Sequence, residues 1–91
     1  MFNKLKQIKD LRDQAKTMQN ALAKESVTVE RGGVKVVMNG NLEITSLTIA
    51  EGTSKESTEK NVKEAFNEAV KKTQKLMATK LQEMGGFPGL M

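Results

Sequence analysis

Seven cations in two groups are the residues whose types and spacing could do chemistry in this chain. Lys9, Arg12 and Lys16 recur at spacings of three and four, so on a helix they form one stripe. Lys71, Lys72, Lys75 and Lys80 follow one another with no acid until Glu83. Ordered cations of this kind neutralise repeated anionic groups, phosphates above all. Other chemistries lack their parts. The chain has no cysteine and no histidine, which removes the thiolate nucleophile, the usual general base near neutral pH and the commonest metal ligands. Its fifteen cations and eleven acids contain no pair with the spacing of a catalytic constellation. Gly32-Gly33-Val34-Lys35 lacks P-loop spacing and reads as a hairpin turn. We therefore expect no enzyme, no cofactor, no metal and no small-molecule substrate.

A lysine row on a lone helix is ordinarily a solvated face, so the cations are weighed against their neighbours. In the first group Asp13 can pair with Lys9 or Lys16 but cannot neutralise all three. In the second half of the chain Glu56 with Lys60, Glu59 with Lys63, and Glu68 with Lys72 have the Glu-to-Lys i,i+4 spacing that supports a helix by about 0.2 to 0.5 kcal/mol each. Beyond them Lys71, Lys75 and Lys80 are expected to be free. The whole chain carries a net +4. Residues 1–24 hold six cations against Asp10 and Asp13, residues 25–52 hold two cations against four acids, and residues 53–91 hold seven against five. Positive charge thus falls on the flanks and not in the middle.

The flanks are the elements that must position these groups, and both read as amphipathic helices. In residues 3–24, Ile8, Leu11, Ala15, Met18 and Leu22 make an a/d seam with Leu5 at its edge. That seam is expected to pack on the chain's own sheet or against a second copy. In residues 56–84, Val62, Phe66, Ala69, Thr73, Leu76 or Met77, and Met84 hold a face widened by Val70 and Leu81, with Lys80 near its far end. Thr53 and Glu56 have capping-box spacing, with Ser54 and Ser57 as rival caps. Gly85-Gly86 stops the second helix, and residues 85–91 are expected to be a flexible tail.

Between the helices lie three strand-like runs. Ser26 to Glu30 alternates with period two, Gly32-Gly33 turns the chain, and Val34 to Met38 alternates again. Asn39-Gly40 marks a second tight turn. The run from Leu42 to Ile49 changes phase midway, so a bulge near Thr45-Ser46 is expected to restore one apolar face, or a partner covers both. The expected fold is α+β, an α-β-β-β-α subunit with a three-stranded antiparallel meander between two long helices, in a single domain spanning residues 1–91. A helix of that length runs about 43 Å, whereas such strands reach about 20 to 26 Å. The overhang implies a homodimer, and a twofold axis would double the seven cations to about fourteen.

Such a doubled surface suits duplex DNA. Phosphate contacts would supply affinity without base information, and the three phenylalanines, with no tyrosine or tryptophan, leave little to stack single-stranded bases. A membrane-surface role for the first helix is disfavoured because its apolar face lacks Trp and includes small Ala15. With no secretory h-region and no spanning run, a cytoplasmic location is expected. The competing class is a protein-binding adaptor or small chaperone using the dimer seam or the apolar tail.

An ordered set of residues adds a resemblance. Gly33-Val34-Lys35-Val36, Met38-Asn39-Gly40, Leu47 with Ile49, Ala65-Phe66-Asn67-Glu68-Ala69 with Lys71-Lys72 behind it, and the Gly-rich end Gly85-Gly86-Phe87-Pro88-Gly89-Leu90 together resemble the YbaB/EbfC family of bacterial nucleoid-associated DNA-binding proteins. The resemblance implies the same α-β-β-β-α subunit, a homodimer with projecting helical arms, and DNA binding in the nucleoid with limited sequence preference. One stretch departs from it. Where the family typically has Leu-Glu-Asp-Leu, this chain reads Thr58-Glu59-Lys60-Asn61, which implies looser or differently paired packing at the start of the second helix.

Overall fold

Two glycines and an alternation decide the first hairpin. The computed structural model describes residues 2–83, with side chains from residue 6 onward; the expected flexible tail lies outside the described residues. Strand β1, Ser26–Arg31, pairs antiparallel with β2, Val34–Asn39, so Arg31 faces Val34 across a two-residue turn. Gly32 and Gly33 have φ of 53° and 89°. Both values lie in the left-handed region that a two-residue hairpin of this hand requires. Strand β3, Ile44–Ile49, pairs with β2, giving the antiparallel order β1-β2-β3.

The expected bulge is present. Val37 faces Ser46 and Met38 faces Ile44, leaving Thr45 as the extra residue, with its hydroxyl donating to the Val37 carbonyl at 3.3 Å. Leu47 and Ile49 therefore regain the face of Val36 and Val34, their partners in β2. The second turn differs from expectation. It is a three-residue loop, Gly40 to Leu42, closed by the Asn39 amide on the Glu43 carbonyl, and the positive φ of 64° falls on Leu42, not on Asn39 or Gly40. Gly40 serves a close approach instead. A Cβ there would stand 2.6 Å from the Leu22 carbonyl oxygen, the group to which the Gly40 amide donates at 2.9 Å.

The helices are α1, Phe2–Ala23, and α2, Lys55–Glu83, of 22 and 29 residues. Ser54 wins the contest for the α2 cap, since its Oγ accepts the Ser57 amide at 3.1 Å. Helix α2 lies over β1 and β2. Small Ala65 and Ala69, both fully buried, let its backbone approach the sheet and close a core with Val29, Val34, Val36 and Met38. Ile44, Val62, Phe66 and Val70 pack at the margin of that core. Leu47 and Ile49 share its face of the sheet yet stay 46% and 44% exposed, because α2 does not reach over β3. The molecule measures 63 × 19 × 18 Å. Its helices outrun the sheet, as the lengths of the two kinds of element require.

Candidate nucleic-acid interface

The first cation group is placed by α1 and is open to solvent. Lys9, Arg12 and Lys16 are exposed, and the stripe spans about 10 Å of helix axis. The pairing with Asp13 is not made: among the described residues no ion pair within 4.0 Å involves any of the three. Asp13 instead uses its backbone carbonyl, which accepts the Thr17 hydroxyl at 2.9 Å. The stripe hangs from the end of α1. Met18 and Leu22 are buried, the Leu22 carbonyl takes the Gly40 amide, and the Gln19 carbonyl takes the Asn41 side-chain amide at 3.0 Å. Farther out Leu11 and Ile8 are 50% and 57% exposed, so most of this helix stands clear of the rest of its own chain.

The second group divides. Lys71 and Lys75 sit two residues either side of Thr73, which is fully buried, so each points about 160° away from the covered face. Both are exposed and, among the described residues, unpaired within 4.0 Å. Lys72 is shared: its ammonium lies 3.9 Å from Glu68, which also accepts the Arg31 Nε at 3.4 Å. Arg31 further approaches Glu64 at 3.6 Å. Lys80 overturns the expectation that it is free. Its ammonium stands 3.2 Å from Glu25, just beyond the end of α1.

The proximal lysines also depart from expectation. Of the three Glu-to-Lys pairs only Glu68 with Lys72 forms; Glu59 meets Lys55 at 4.0 Å, and Lys60 and Lys63 have no acid within that distance among the described residues. Exposed pairs of this sort add little energy and solvate easily, so rotamer choice decides them. The network of Arg31 with Glu64 and Glu68 escaped sequence reading because 33 and 37 residues separate the partners. Its one signal is the Glu64 and Glu68 spacing on a single face. These three residues, Asn67 and Lys71 line an open depression of about 430 Å³. Asn67 is exposed there and makes no side-chain hydrogen bond among the described residues.

The departure at Thr58 to Asn61 is a repairing in polar terms. The Thr58 hydroxyl donates to the Ser54 carbonyl at 2.8 Å and meets the Thr53 hydroxyl at 2.9 Å. Asn61 donates to the Gly32 carbonyl and to the Ser57 hydroxyl, both at 3.3 Å. The start of α2 is thus held by hydrogen bonds within residues 53–61 and by one, from Asn61, to the hairpin turn. Among the described residues no three carboxylates gather as a metal site would need, and no helix is long and apolar enough to cross a membrane.

Comparison with known proteins agrees with this geometry. The sequence model of the YbaB/EbfC DNA-binding family matches residues 1–87. A nucleoid-associated protein of Syntrophobacter fumaroxidans (strain DSM 10017 / MPOB) is 33% identical over 94 residues, covering 97% of this chain and 83% of that protein.

Proposed function

This chain belongs to the YbaB/EbfC DNA-binding family, and from that premise we propose that it is a homodimeric, cytoplasmic nucleoid-associated protein that binds duplex DNA mainly by phosphate contacts. The observation that carries the reading is the set of exposed cations on both helices that have no ion pair within 4.0 Å among the described residues: Lys9, Arg12 and Lys16 on α1, and Lys71 and Lys75 on α2. Lys72 joins them by giving up a long, exposed contact with Glu68. Ammonium groups set along a helix read charge and spacing rather than base identity, so sequence preference is low. Compaction of DNA, or altered transcription from it, would follow from coverage and not from recognition of one site.

The dimer is supported by the uncovered part of the sheet. Leu47 and Ile49 lie exposed on the core face of an edge strand, and Val62, Phe66 and Val70 of α2 are only partly buried at the margin of the same core. An apolar face next to an unpaired strand edge is well suited to a second copy, which would bury both and remove the edge. The two copies would then carry their basic arms on one rigid centre.

A mobility-shift titration tests the reading. Lys71→Glu, Lys72→Glu and Lys75→Glu together are expected to abolish the shift while circular dichroism and the mass of the dimer stay unchanged. For the parent chain, contact with 4 to 6 phosphates corresponds to a slope of roughly −3.6 to −5.4 in log affinity against log salt. Undiminished binding by the folded triple variant overturns the assignment of these lysines. A monomer at micromolar concentration overturns the dimer.

A further inference from the structure

Lys80 and Glu25 form the shortest ion pair among the described residues and the most sheltered one. Their charges are 3.2 Å apart and their side chains are 27% and 34% exposed, whereas the cations of the other pairs are 46 to 90% exposed. The pair also has a particular place. It joins the part of α2 that overhangs the sheet to the turn that follows α1.

That turn is where α1 is held. Its hydrogen bonds to the β2–β3 loop, Leu22 to Gly40 and Gln19 to Asn41, and its buried residues Met18 and Leu22 fall within its last six residues, while α1 also touches α2 and half-buries Gln14 one turn farther out. The remainder is a lever. From Leu22 to Lys9 is about 20 Å of axis, so a tilt of about 10° at the root displaces the basic stripe sideways by about 3.5 Å. The pivot lies beside Glu25, whose amide shares the Leu22 carbonyl with that of Gly40.

We propose that Lys80 and Glu25 are a positioning pair: they set the angle at which α1 presents Lys9, Arg12 and Lys16 beside Lys71 and Lys75, and Lys80 takes no phosphate itself. The assignment rests on the duplex-binding reading above and changes the part Lys80 plays in it. A carboxylate at 3.2 Å already occupies the Lys80 ammonium, and exchanging it for a phosphate would leave the partly sheltered Glu25 without its partner. With the pair intact the arm spends most of its time in the binding orientation. Without it, apparent affinity falls by the fraction of time lost.

The test uses the full chain, random-sequence duplex DNA and label distances. Because the chain has no cysteine, Gln7→Cys with Gln74→Cys gives a spin-label pair across the arms, diluted with unlabelled protein to isolate distances within one copy. Lys80→Met is expected to broaden that distance distribution and weaken duplex binding roughly two- to fivefold with the salt slope unchanged. Glu25→Gln repeats the test from the other side of the pair if Lys80→Met folds poorly. The charge swap Glu25→Lys with Lys80→Glu is expected to restore both the narrow distribution and the affinity. A slope reduced by about 0.9 in Lys80→Met with the distances unchanged makes Lys80 a phosphate ligand and overturns the proposal, as does a swap that rescues nothing. Failure of the parent chain to bind duplex DNA overturns the proposed function alone, since the label distances still decide whether the pair sets the arm.

Discussion

Helices α1 and α2 carry the same kind of pattern and meet different fates. Both place apolar residues at spacings of three and four with lysines alongside. Yet α2 buries Ala65, Ala69 and Thr73 completely, while among its described side chains α1 buries only Met18 and Leu22 and leaves Leu11 and Ile8 half exposed. Side-chain size accounts for much of the difference. Small residues at the centre of the α2 face bring its backbone onto β1 and β2, where Val29, Val36 and Met38 fill the space between. The α1 face is built mostly of larger side chains, and its attachment combines the buried Met18 and Leu22 with two backbone carbonyls hydrogen-bonded to the β2–β3 loop. The periodicity of a helix thus states that it has an apolar face. Whether its own chain covers that face depends on the size and position of what lies opposite.

The comparison is broken most severely by removing bulk from each side. Met38 is 1% exposed beneath α2, so Met38→Ala is expected to destabilise the chain by about 2 to 5 kcal/mol in urea unfolding, through lost burial and the cavity left behind. Leu11→Ala, at a half-exposed position, is expected to cost under about 0.5 kcal/mol. If Leu11→Ala instead costs more than about 2 kcal/mol and the loss depends on protein concentration, the α1 seam is covered in solution by another copy. The contrast would then hold for the subunit and not for the assembly.

The fold was largely legible because its signals are local. Alternation in Val34 to Met38, the Gly32-Gly33 pair and the phase change at Thr45 each depend on a few neighbouring residues, and each placed its element within one or two positions. The turn after Asn39 was misread because Gly40 answers to Leu22, eighteen residues away, and the left-handed backbone was passed to Leu42. Charges were less legible. The types and exposure of Lys9, Arg12, Lys16, Lys71 and Lys75 follow from spacing alone, but Lys80 finds Glu25 and Arg31 finds Glu64 and Glu68 only after folding. An i,i+4 rule sees neither, and it also proposed two pairs that do not form.

A smaller effect sharpens the account of the α2 side. Thr73 is fully buried and its hydroxyl has no hydrogen-bond partner among the described residues. A dry hydroxyl against an apolar face loses its water and gains nothing. Thr73→Val keeps the branched shape without the polar atom and is expected to raise stability by about 1 to 2 kcal/mol, read as a higher urea midpoint at unchanged slope. A loss instead would mean that the hydroxyl is satisfied in the assembly, and that the covered face of α2 is more polar than its packing indicates.

A smaller stabilisation is expected where α1 is fastened. Leu42 holds a φ of 64° although a leucine gains nothing there, and its neighbours enforce it. The Asn39 side-chain oxygen accepts the amides of Asn41 at 2.9 Å and Glu43 at 3.1 Å, and its amide donates to the Glu43 carboxylate at 3.0 Å. These bonds fix the loop in the form that seats the Leu22 carbonyl on Gly40. Asparagine tolerates the left-handed region, so Leu42→Asn is expected to add about 0.5 to 1 kcal/mol while protection of the Gly40 amide from hydrogen exchange is retained. Leu42 is 40% exposed, so little packing is lost within the subunit. Destabilisation that grows on dilution would instead assign the leucine to a subunit contact, and the strain would be tolerated for the sake of assembly. The root of α1 would then be held by a neighbouring copy as well as by its own loop, and the arm would be less independent of the core than its exposed seam indicates.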